Sequence, residues 1–431
     1  MFPVHFIRHT LALAGLLCAL QAPAQHAPAI DTTRQVHLAN VDVSPAAADT
    51  KGWLLLDEGI KLELEGAMHN LYNFHYDRAE KQFRSLRRRY PQHPMPYFLM
   101  GLTQWWKIMP SNVTNRQFDK VFYAYMDTAI AKGERLYEAD DTNFEASFLL
   151  SAAYGFSARL HAERHDLRKA TVYSKRALEY VQRSQQANGL SPEFLFGTAL
   201  FNYYAVSVAD DYPFLRPILL FFPKGNRTLG LQQLRSTSEN GFYTGAEASF
   251  FLMKILASPK ENDEAGALRI ARRLVTTYPD NAYFQRYYAL LCFNQGEFRE
   301  CERVSLNILD KLNQGQAGYE SFSGRYATYY LGWVQQTKYK NLSKARDYYQ
   351  RCIVFSELTE MTKGGYYLYA NYNLGRIAEA QQDLRAAHHY YQTVLKQADR
   401  SSSMYSTAKA FLRQHRATRL TDAAPASYSA R

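Results

Sequence analysis

The chain has 431 residues, a formal charge of +11, 47% hydrophobic residues and 21% charged residues. This balance excludes a disordered polyelectrolyte, and the length suffices for a sizeable core or for two to three domains. The basic surplus suits anionic partners, but it is spread along helix faces. It is densest in RSLRRRYP at Arg84–Pro91 and comes with no reader motif, so no nucleic acid is expected.

In chain order, MFPVHFIRHTLALAGLLCALQAPAQ comes first. It has a short basic start (Arg8, with His5 and His9), an apolar stretch from Leu11 to Leu20, and small residues at Ala22-Pro23-Ala24. That is the pattern of a secretory signal peptide, here residues 1–24, and its apolar stretch is too short to span a bilayer. Cleavage is expected before Gln25, an end that resembles the signal peptides of Bacteroidetes-type bacteria. Cys18 follows Leu16-Leu17 where a lipoprotein signal needs small residues, so lipidation is the lesser reading. The expected location is the periplasm or the outer membrane, with residues 25–51 as a flexible N-terminal segment.

From about Gly52 the chain reads as helical hairpins. In the first, Ala67, Ala79, Phe83 and Leu86 lead into Tyr90-Pro91. Less regular units carry Gly101 with Ala129, Gly133 and Leu136, then Ala158 with Ala170 and Ala177, then Gly197 with a second helix at Thr228–Ser238. Next, Ile255, Ala267, Ala271 and Leu274 run into the YPDN turn at Tyr278–Asn281. Three regular units follow: Ala289 with Cys301, Ser305 and Ile308 around a Gly296-Glu297-Phe298 turn; Gly332 with Ala345, Tyr349 and Cys352; and Gly375 with Ala387, Tyr391 and Val394. A small residue on each helix permits close approach, and a large residue fills the next turn. A closing helix is expected near Ser403–Arg416 to cap the last apolar face. The pattern resembles the tetratricopeptide-repeat (TPR) superfamily. The resemblance implies an all-α, right-handed superhelical solenoid of about eight hairpins over residues 52–418, with a disordered tail at 419–431.

One stretch breaks the pattern. YPFLRPILLFFPKGNRTLGLQQL, Tyr212–Leu234, places Pro213, Pro217 and Pro223 in an apolar run between the two helices of the fourth unit. Around it, Gly197, Phe201, Asn202, Gly225, Asn226, Arg227, Gly230 and Leu231 are similar to the middle of the tetratricopeptide-repeat-39-like family, which includes a fungal inclusion-body-clearance protein. The specific part of this likeness covers about forty residues. The family supplies no catalytic residues, and its eukaryotic members imply interaction or envelope roles; an export signal sets this chain apart from them. Tyr212–Pro223 is about half a membrane span. The prolines would leave backbone groups that lipid cannot satisfy, and full exposure would create an apolar patch. A buried insertion over 208–225 is therefore expected, with docking on a membrane or partner as the alternative.

With the signal removed, Cys292, Cys301 and Cys352 remain, an odd number that argues against a disulfide-built fold. Cys292 and Cys301 are close enough in one hairpin for a single bridge; the competing reading makes each a small packing residue. His161 and His165, four apart in HAERH, form the sharpest metal candidate, but no third ligand is evident and the protease motif is absent. His388 and His389 are adjacent and diverge on a helix. No nucleophile elbow, phosphate loop or dinucleotide fingerprint occurs, so neither an enzyme nor a cofactor is expected.

The 33 tyrosines and 25 phenylalanines carry the functional expectation. Aligning the last three regular units places Tyr283, Arg286 and Phe293, then Tyr326, Tyr329 and Trp333, then Tyr369, Tyr372 and Arg376 on the concave side of successive first helices. Tyr and Arg suit recognition surfaces because they combine area with hydrogen bonding at small entropic cost. The expected function is a non-catalytic scaffold that binds a protein or extended peptide in the cell envelope. The alternative is a carbohydrate- or lipid-binding envelope protein that uses the same aromatic groove.

Overall fold

The computed structural model describes residues 49–211 and 224–415. The expected signal peptide, nearly all of the flexible segment and the tail lie outside the described residues, as does the Tyr212–Pro223 core of the expected insertion. The described residues are helical throughout, with seventeen α-helices and no strand among them. The chain divides into two compact units, with the boundary after Phe284.

The first unit contains α1 (Glu58–Tyr72), α2 (Tyr76–Arg89), α3 (Met95–Ile108), α4 (Asp119–Ala139) and α5 (Phe144–Glu163). It continues with α6 (Leu167–Ser184), α7 (Pro192–Asp211), α8 (Arg227–Asn240), α9 (Gly245–Leu256) and α10 (Glu264–Thr277). Helix α11 (Ala282–Asn294) begins here and runs into the second unit. The second unit holds α12 (Phe298–Asn313), α13 (Ser321–Thr337), α14 (Leu342–Leu358), α15 (Gly365–Ala380), α16 (Leu384–Gln397) and α17 (Ser403–Gln414). From α1 to α10, and again from α12 to α17, each helix packs on the next. Alternate helices also touch: α1 meets α3, α3 meets α5, α5 meets α7, and α13 meets α15. Succession with such second-neighbour contact is the packing of an α-solenoid within each unit.

Local chemistry sets the helix starts. Asp57, Asn143, Asp166, Asn226, Asp263, Asn341, Asp383 and Ser402 each accept a hydrogen bond from the backbone N–H three residues on. These caps satisfy amides that have no intrahelical partner. The second helices bury the positions their spacing marked. Ala79, Phe83 and Leu86 are fully buried, as are Cys301, Ser305 and Ile308, Ala345, Tyr349 and Cys352, and Ala387, Tyr391 and Val394. A Cβ added to Gly375 would lie 2.8 Å from the Tyr391 ring, so the small residue on α15 is what lets α16 seat its tyrosine.

The Gly-Asn-Arg-x-x-Gly-Leu segment is a helix-docking device. Asn226 caps α8, and Asn202 on α7 donates to Gln233 Oε1 at 3.0 Å. A Cβ on Gly230 would stand 2.7 Å from the Tyr203 backbone nitrogen, so only glycine permits this backbone approach. Arg227 pairs with Glu261 at 2.7 Å.

Contacts distant in sequence complete the first unit. Asn281 donates its side-chain amide to the Tyr72 carbonyl at 2.8 Å, and the Tyr72 and Tyr278 rings lie 5.2 Å apart. The Glu193 carboxylate accepts from the amides of Phe242, Tyr243 and Thr244 and from the Thr244 hydroxyl. Glu145 accepts from the Leu55 amide at 2.6 Å and faces His93 at 3.1 Å. Arg164 forks onto Asp119 at 2.6 and 2.8 Å and also donates to the Val113 carbonyl. Each tie joins parts of the chain that local periodicity cannot relate.

Candidate functional site

The aromatic face forms on α11, α13 and α15 because helical spacing of three and four residues returns side chains to one side. In the second unit, Phe293 stacks on Tyr330 at 4.8 Å and meets Trp333 edge-on at 5.0 Å. Tyr326 and Tyr329 lie 4.9 and 4.7 Å from Tyr366, and Tyr329 is 6.0 Å from Tyr369. The guanidinium of Arg286 lies over Tyr326 at 5.5 Å, and that of Arg376 over Tyr372 at 6.0 Å.

Burial divides the nine expected residues. Phe293, Tyr326, Trp333, Tyr369 and Tyr372 are half-buried, and Arg376 is exposed. Arg286 is 2% exposed and Tyr329 8%, so neither offers a face to a partner. Tyr283, 3% exposed, belongs to the first unit, where it packs on Phe250 at 5.2 Å and Trp106 at 6.4 Å. These three are corrections to the sequence expectation. The following first-type helix covers Arg286 with Tyr326 and Tyr329 with Tyr366 and Tyr369, whereas Tyr283 is covered by Phe250 of α9 and Trp106 of α3. Burial also pushes the Tyr329 phenol well above its ordinary pKa. Sequence alignment missed Tyr330 and Tyr366, whose hydroxyls meet at 2.6 Å and support the face from behind. The adjacent tyrosine pairs 329–330 and 366–367 were the available signal.

The histidine pair fails for a geometric reason. Helix α5 ends at Glu163, and His165 sits in the following turn at φ 64°, exposed, so the two imidazoles do not share a helix face. His161 is buried and stacked on Tyr123 at 4.5 Å, and burial lowers its pKa. Among the described residues, no cluster of three or more His, Cys, Asp or Glu side chains could hold a metal. Cys292, Cys301 and Cys352 are buried thiols outside any disulfide, so the conceivable bridge is not formed and the packing reading accounts for all three.

The sequence did not anticipate a cavity in the first unit. It measures about 280 Å³ and is walled by α5, α6, α7 and α9, with Phe156, Leu178, Phe201 and Phe251 among its apolar lining and Arg159, Glu163 and Lys254 among its charged groups. A Cβ added at Gly155 would meet nothing within 4 Å, so this glycine leaves space that a larger residue would fill. Burial, together with repulsion from Arg159, lowers the Lys254 pKa to about 7 against the opposing pull of Glu163. The ammonium lies deep in the unit yet remains partly accessible through the cavity. Glu247, four residues before Phe251 and seven before Lys254 and so on the same face of α9, accepts from Trp106 Nε1–H at 2.8 Å, and burial raises its pKa to about 7 against the pull of Arg159.

No family model matches this chain, and no curated protein matches it at a significant level. No described helix is long and apolar enough to cross a membrane.

Proposed function

We propose that this chain is a non-catalytic, TPR-type scaffold that binds a protein or extended peptide in a bacterial cell envelope. In this reading the helices form a right-handed solenoid of about eight hairpins, with a proline-broken insertion in the fourth. The observation that carries the binding role is the half-exposed set Phe293, Tyr326, Trp333, Tyr369 and Tyr372 beside exposed Arg376 on the second unit. Rigid aromatic rings with a neighbouring guanidinium provide contact area and hydrogen bonding with little rotamer entropy to lose. The rings behind them, Tyr329, Tyr330 and Tyr366, hold that face in place.

The test is affinity capture from a native envelope extract with the wild type and with a Tyr369→Ala/Tyr372→Ala variant. A protein that co-elutes with the wild type and is lost with the variant, at unchanged helix content, supports the scaffold. An extractable glycan or lipid lost in the same way would transfer the face to the carbohydrate- or lipid-binding alternative. Equal capture by both chains would remove the face from the function.

A further inference from the structure

We propose that the cavity between α5, α6, α7 and α9 binds a medium-length aliphatic monocarboxylate, with its head on Arg159 and its chain among the phenylalanines. The site is separate from the aromatic face of the second unit and does not depend on that face's role. Three observations converge on the ligand class.

The first is volume. A 150 Å³ apolar cavity accommodates benzene, so about 280 Å³ has room for roughly ten carbon atoms. A complete two-chain lipid is far too large. The cavity is partly open to solvent, which gives a ligand of this size a way in.

The second is the state of Arg159. Its guanidinium lies 4.7 Å from the Trp105 ring centroid and 5.8 Å from that of Phe251. It makes no hydrogen bond or ion pair with any described residue. Two ring faces balance part of a positive charge but satisfy none of the five N–H donors. A planar carboxylate satisfies two of them at once.

The third is the nearby charge. Arg159 and Lys254 face the cavity together with Glu163, and Glu247, on the same face of α9, also acts on Arg159. A monoanion on the Arg159 fork meets the two cations of the wall, whereas a dianionic phosphate would be opposed by both carboxylates. The apolar wall requires the remainder of the ligand to be hydrocarbon.

The experiment is titration calorimetry of the full chain with decanoate, decanol, decyltrimethylammonium and acetate. Decanoate should bind one to one. Decanol, with the same chain and no charge, should bind about tenfold more weakly or worse, and neither the cation nor acetate should saturate the site. Arg159→Gln should cost decanoate about tenfold or more while leaving decanol unchanged. Arg159→Lys, which keeps the charge but loses the fork, should fall between them, and it carries the test if the glutamine variant does not fold. Leu200→Trp, which fills the cavity, should abolish binding of both ten-carbon ligands. Decanoate binding no tighter than decanol would overturn the proposal. So would an Arg159→Gln or Arg159→Lys variant that binds decanoate like the wild type, or a native chain that shows no saturable decanoate binding.

Discussion

Exchanging Glu247 for Gln measures what the first unit loses by keeping a carboxyl group in its core. Glu247 is 4% exposed and receives the Trp106 indole N–H at 2.8 Å. Burial raises its pKa from 4.5 to about 7, against the opposing influence of Arg159 and the indole hydrogen bond. The folded state therefore holds this proton more tightly than the unfolded chain. Its contribution to stability is fully present below the unfolded pKa and is lost as pH rises through about 7. At about 1.4 kcal/mol per pKa unit, the loss amounts to about 3 kcal/mol. Gln keeps an acceptor oxygen for Trp106 and does not titrate. The variant should therefore gain up to about 3 kcal/mol over the wild type between about pH 5 and about pH 8. Lys254, lowered from 10.5 to about 7, changes its contribution chiefly at higher pH and in the opposite sense. It is present in both proteins, so it largely cancels from their difference. The assay is urea unfolding at a series of pH values, followed by tryptophan fluorescence. Trp53, Trp105 and Trp106 all lie in the first unit. A stability difference that stays constant across this pH range would refute the reasoning.

On the second unit, Tyr329→Ala should cost about 3–5 kcal/mol, because it removes a buried ring packed against Phe293, Tyr366 and Tyr369. Tyr372→Ala should cost under about 2 kcal/mol, since its half-buried ring leaves no comparable cavity; equal costs in thermal unfolding would contradict this division of core from face. Burial pushes the Cys301 and Cys352 thiols up to about 12, so iodoacetamide at mildly alkaline pH should label the native chain slowly and the unfolded chain fully. Rapid stoichiometric labelling of native protein, read by mass spectrometry, would show that these thiols are not held in the core.

The amino-acid sequence alone determined the helical hairpins of the regular units. Ala387, Tyr391 and Val394, like Ala345, Tyr349 and Cys352, carry their packing role in their spacing, because the partner helix lies only a short turn away. The caps at Asp57, Asn226 and Asp383 are equally local, since each bonds an amide three residues along. Tertiary structure decided the rest. Tyr326 and Tyr329 look alike in sequence, yet the Arg286 guanidinium lies over the half-buried former while Tyr366 and Tyr369 enclose the latter. Glu247 reads as an ordinary helix-surface carboxylate until Trp106, 141 residues away, is placed against it. The cavity beside Arg159 depends on four helices whose mutual spacing no local pattern encodes. Repeat periodicity specifies which face of a helix its hairpin partner covers. What covers the opposite face, and what remains open to a ligand, is settled only when helices distant in sequence come together.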